Sequence, residues 1–94
     1  MRHGDRVKAE MLQVGLQLWR THSSLVTARA IGQRMGLTHT AVLYHWKTTG
    51  ALKAAIAEHA VAVRDPIVVP MLIVERHPSV AGLTADERVA FLAL

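Results

Sequence analysis

The sequence predicts an all-α fold, and three observations carry that expectation. Apolar residues recur at helical spacing along much of the chain. Thr, Gly and Pro stand where helices start and stop. The stretch from Thr27 to Leu52 reads as two short helices joined by a tight turn at Gly36. The architecture expected is a three-helix unit, then a fourth helix, then a short helical C-terminal element. Ninety-four residues suit one domain, and 51% apolar composition is enough for a small core.

Helix one is expected from about Asp5 to Trp19. Met11, Leu12, Gly15, Leu16, Leu18 and Trp19 form its apolar side and Asp5 its N-cap, a scaffold role. Arg20 to Leu25 reads as a polar connection. Thr27 caps helix two, which runs to about Met35 with Ile31 and Met35 facing inward. Gly36 ends it in the left-handed conformation that only glycine adopts cheaply. Thr38 is the N-cap of helix three, about His39 to Trp46. Lys47-Thr48-Thr49-Gly50 breaks the pattern. Helix four follows from about Ala51 to Val63, with Leu52, Ile56 and Ala60 (or His59) on one stripe.

Asp65-Pro66 marks a boundary, because proline disfavours helix in the residue before it. It separates residues 1–64 from residues 65–94. The run IVVPMLIV reads two ways. Its β-branched content favours a strand; Pro70 and the lack of a pairing partner favour a helix, about Val68 to Arg76. His77 to Gly82 is a loop. Thr84-Ala85-Asp86-Glu87 has the capping-box pattern and starts a sixth helix with Val89, Leu92 and Ala93 on one side.

The chain has no cysteine, which excludes disulfides and cysteine-ligated zinc. No apolar run approaches the roughly 18 residues of a membrane span, and the charged N-terminus lacks a signal-peptide core. A cytoplasmic location is expected. Charge is unevenly spread: residues 1–64 hold nine Lys/Arg against three acids, and residues 65–94 hold two against four. A basic N-terminal part suits a polyanion. The six histidines show no metal-ligand spacing, so neither metal nor cofactor is expected. No Ser-His-Asp set, paired carboxylates or Gly-rich phosphate loop is present, which argues against an enzyme.

A supporting helix, a glycine turn and a second helix loaded with hydrogen-bonding groups is the layout of a helix-turn-helix. The same residues resemble the homeodomain-like N-terminal DNA-binding domain of TetR-type repressors. Leu18-Trp19 fits the apolar pair ending that family's first helix, and Thr27 with Ile31-Gly32 fits its second. Gly36-Leu37-Thr38 and His45-Trp46-Lys47 fit its turn and recognition helix without a gap, and Leu52 fits the start of its fourth. The resemblance covers about residues 8–62. Leu43 stands at the family's usual Tyr position with Tyr44 next to it, Ser23 replaces a Gly, and Thr49 replaces a Lys. The family's long ligand-binding domain is not expected if the chain is complete, since about thirty residues follow helix four.

His39 and Thr40 open helix three, where side chains reach base edges most easily. Imidazole can donate to guanine, and Thr offers a hydroxyl and a methyl. Tyr44 joins this base-reading set. The resemblance adds Arg29, which matches a base-reading Arg in some relatives, and gives His45 a backbone contact. Thr27, Thr38, Lys47, Thr49 and Lys53 surround helix N-termini and make candidate phosphate contacts. Ile67, Met71, Leu72, Val89, Phe91 and Leu92 are the candidate dimer contacts, as more apolar surface than a short appendage can hide alone.

The function expected is a sequence-specific double-stranded DNA-binding repressor, homodimeric on a palindromic operator and without a small-molecule sensor. No small-molecule ligand is expected, because so short a tail should not enclose a pocket of several hundred Å³. The alternatives are a protein-interaction module working through the apolar C-terminal segment, or a truncated TetR-type regulator.

Overall fold

The structure, a computed structural model, describes residues 3–93. It is all-helical, with no strand among the described residues. Six α-helices follow one another: α1 (His3–Thr21), α2 (Ala28–Met35), α3 (His39–Trp46), α4 (Thr49–Ala62), α5 (Val68–Val74) and α6 (Ala85–Leu92). Short 3₁₀ turns lie at Ser23–Leu25 and Pro78–Val80. No helix is long and apolar enough to cross a membrane among the described residues.

Threonine sets most of the helix starts. Thr27, Thr38, Thr48 and Thr84 each accept the third helical N–H of α2, α3, α4 and α6, at 3.0–3.1 Å. Each such cap is worth about 1 kcal/mol. Glu87 completes the box at α6 by accepting the Thr84 N–H at 3.0 Å. Gly36 ends α2 at φ 71°, and the Leu37 N–H reaches back to the Gly32 carbonyl at 2.8 Å.

Several boundaries differ from those expected. Asp5 lies inside the first turn of α1 rather than at its cap, since the helix begins at His3. The polar connection shrinks to a 3₁₀ turn, because α1 continues to Thr21. α4 starts at Thr49, not Ala51: Thr48 supplies the cap, and Gly50 sits in the first turn. The IVVPMLIV run is helix, ending at Val74 rather than Arg76.

One core joins the elements. Met11, Leu16 and Trp19 of α1 meet Ile31 of α2, Val42 of α3, and Leu52, Ile56 and Ala60 of α4. Gly15 lets α1 and α4 approach closely, because a Cβ there would collide with Ile56. Val68, Val69 and Leu72 of α5 are fully buried in the same core, and Val80 and Leu83 join it. At roughly 1.5–3 kcal/mol per large apolar side chain buried, the C-terminal segment is held by the monomer itself. This corrects one expectation: Leu72 is a core residue and has no surface to offer a partner. Met71 and Phe91 are half-buried, whereas Ile67, Val89 and Leu92 stay exposed.

A single carboxylate fixes the junction of α4 and α5. Asp65 is buried and accepts the Arg20 Nε–H at 2.8 Å and a second guanidinium N–H. Its other oxygen accepts the N–H groups of Ile67 and Val68 at 3.0 and 2.8 Å. Burial alone pushes the Asp65 carboxyl up. The Arg20 hydrogen bond, the two backbone N–H groups and the Arg20 charge outweigh it and hold the group below 3.8.

Candidate nucleic-acid interface

The turn between α2 and α3 is tight because nothing bulky fits there. A Cβ on Gly32 would lie 2.5 Å from the Leu37 carbonyl oxygen, so the backbone that leads into α3 rests directly on α2. Val42 anchors α3 in the core and is fully buried. A helix turns about 100° per residue, so Thr40 and Tyr44 lie on the side opposite Val42, and Lys47 follows just past the end of α3. His39, at the first position of α3, is turned about 60° from Val42 and away from Tyr44. All four are exposed, Tyr44 by 74%. Of the four expected base-reading residues, Thr40 and Tyr44 thus share one face of α3.

Arg29, the fourth, is exposed on α2 and forms no ion pair among the described residues. His45 departs from that face. It is half-buried and lines an apolar groove of about 330 Å³ with Val7 and Met11 of α1. Its ring also stands edge-on to Tyr44, centroids 5.4 Å apart.

The expected phosphate contacts fall into two kinds. Thr27 and Thr38 are caps whose oxygens already accept a backbone N–H; the hydroxyl hydrogen is left to donate outward. Thr49 is exposed at the first position of α4, next to the Thr48 cap. Lys47 and Lys53 lie over aromatic rings: Lys47 Nζ is 5.7 Å from the Tyr44 centroid and Lys53 Nζ is 5.6 Å from that of Trp19. Such pairs contribute about 0.5–1 kcal/mol at exposed sites and hold the ammonium in place.

Lys8 behaves the same way and was missed by sequence reasoning. Its Nζ sits 5.2 Å from the Trp46 centroid, bringing a cation of α1 beside α3. No local spacing links Lys8 to Trp46, so only the packing of α1 on the trihelical unit exposes the pairing.

The electrostatics of the region are one-signed. From Met11 to Ala57 the chain has no acidic residue, against Arg20, Arg29, Arg34, Lys47 and Lys53. Arg20 is occupied by Asp65; the other four project without a carboxylate partner among the described residues. No group of three or more His, Cys, Asp or Glu could hold a metal ion among the described residues. The arrangement offers hydrogen-bond donors and cations to a polyanion. The chain matches no protein-family model, no curated protein sequence and no solved structure.

Proposed function

We propose that the chain is a sequence-specific double-stranded DNA-binding repressor of the TetR type, with α1–α3 as a homeodomain-like unit and α2–Gly36–α3 as its helix-turn-helix. The observation that carries this reading is the exposure of His39, Thr40 and Tyr44 on α3 and of Lys47 at its end, within an acid-free basic stretch. In this reading α3 enters the major groove with His39, Thr40 and Tyr44 toward base edges and Arg29 beside them. Thr27, Thr38, Thr49, Lys47, Lys53 and Lys8 meet phosphates and set the register. His45, half-buried beside Tyr44, adds the backbone contact that the resemblance implies. One such unit buries little surface, so two on a symmetric dimer supply the affinity.

A second reading has an observation of its own. Ile67, Val74, Val89 and Leu92 are at least half exposed on α5 and α6, a surface a protein-interaction module would use. Selection of bound sequences from random duplex DNA separates the two. The repressor reading expects an enriched palindrome with fixed half-site spacing, bound with an affinity that falls steeply as salt rises. Recovery of unenriched DNA, or no retained DNA at low salt, rejects it.

A further inference from the structure

We propose that the open cleft between α5, the Pro78–Val80 turn and α6 binds a small organic anion, a carboxylate on an apolar body. This goes beyond the DNA-binding reading and stands without it. The cleft has a volume of about 400 Å³, within the roughly 300–1,000 Å³ of small-molecule sites. Chain length alone argued against a pocket of that size. The tail forms an open cleft rather than an enclosed pocket, with Ile73 of α5, the Pro78–Val80 turn and Arg88 of α6 along its sides.

The lining is chemically divided. Ile73, Pro78, Val80 and Ala81 supply its apolar lining, and Arg76, His77 and Arg88 its basic lining. Residues 65–94 are acidic overall, with four carboxylates and only two arginines and one histidine. All three of those nitrogen bases line the cleft, and none of the four acids does. Asp65 is committed to Arg20 and Glu87 to Arg64. Neither Arg76 nor Arg88 forms an ion pair among the described residues.

The basic lining is also positioned. Arg88 donates from Nη2 to the Val80 carbonyl at 2.8 Å and from Nε to the Leu83 carbonyl at 3.4 Å. These bonds fix the guanidinium and use two of its five N–H groups. Arg76 follows the Glu75 C-cap of α5 at φ 56°, a left-handed conformation in which glycine would be unstrained. The His77 Nδ1 accepts the Ser79 N–H at 3.1 Å, which places the ring proton of the neutral imidazole on Nε2 as a donor. The same ring stands edge-on to the buried Trp19, centroids 6.3 Å apart, so Trp19 reports on the cleft.

Octanoate, 1-octanol and inorganic phosphate are the probes, titrated without DNA and followed by methyl NMR shifts and, in a Trp46→Phe background, by Trp19 fluorescence. Octanoate should bind saturably below about 1 mM and shift the Ile73, Val80 and Ala81 methyls. Octanol and phosphate should each bind at least tenfold more weakly, because one lacks the charge and the other the apolar body. Arg76→Gly should weaken octanoate at least fivefold while melting no lower than the parent, which separates lost recognition from lost folding. Octanol binding as well as octanoate, phosphate matching it, shifts confined to Val7 and Met11, or an Arg76→Gly variant with unchanged affinity would each overturn the proposal.

Discussion

Asp65 shows how much one side chain can hold. It joins α1 through Arg20 and starts α5 through the Ile67 and Val68 N–H groups. Removing one partner of a buried pair costs about 3–5 kcal/mol when the other stays buried. Arg20 is 37% exposed and can turn to water, so Asp65→Ala should cost nearer about 2 kcal/mol, read from urea melts at pH 7. The folded carboxyl lies below its unfolded value of 3.8. Its contribution is therefore complete above that value and lost as pH falls through the folded one. The stability gap between wild type and Asp65→Asn should hold from pH 7 to about 5 and close on acidification below 3.8. A gap that widens in acid contradicts this account. The interface residues divide by the same kind of reasoning. His39→Ala or Thr40→Ala should cost about 1–3 kcal/mol on the selected DNA site and little on random DNA. Lys47→Ala should weaken both alike and shallow the salt slope by about one unit. Equal losses on both DNAs for His39 and Thr40 would remove them from base reading.

At the scale of the element, the turn between α2 and α3 depends on Gly32 as much as on Gly36. Gly36 is legible in the sequence, because a glycine between two helical patterns is a known stop. Gly32 reads as an ordinary helical position until the Leu37 carbonyl is seen against it. The obstacle is backbone and cannot swing away, so Gly32→Ala should destabilise the fold by about 2 kcal/mol and weaken DNA binding beyond that loss. Unchanged melting would mean that α2 and α3 can separate freely. The caps divide similarly. Thr27, Thr38 and Thr84 stand before visible helical runs and were placed correctly. Thr48 was not, because Gly50 looked like a breaker, although a glycine in a first turn costs little when the cap is good. Pairings between distant residues were invisible: Arg20 with Asp65 is separated by 45 positions, and Lys8 with Trp46 depends on how α1 crosses the unit. The helical state of α5 was decided by burial of Val68, Val69 and Leu72 against α1 and α4, a tertiary effect that β-branched composition opposes.

Across the whole molecule, the excess of cations lies in residues 1–64. Large exposed apolar side chains occur in both parts, with Leu25, Tyr44 and Val63 in the first and Ile67, Val74, Val89 and Leu92 in the second. Ile67 at the cap of α5 and Pro70, Met71 and Val74 within it recur at i, i+3, i+4 and i+7, all exposed or half-buried, and Val89 and Leu92 are exposed on α6. Two copies joined through α5 and α6 would bury this surface and keep the basic stretches from facing one another, as a palindrome reader requires. Leu72 is a poor probe of such a dimer, because a charge there would strike the monomer core. Val89, 67% exposed, is a clean one. Wild type should sediment as a dimer at concentrations on the order of tens of micromolar, since a modest interface reaches that affinity with about 6–7 kcal/mol. Val89→Glu should sediment as a monomer with an unchanged helical spectrum, and its binding to the two-half-site DNA should fall toward that of a single half-site. Leu72→Glu should instead lose helical signal at every protein concentration. A wild-type protein that stays monomeric, or a Val89→Glu protein that stays dimeric, would take α6 out of self-association and leave its apolar face to a different protein.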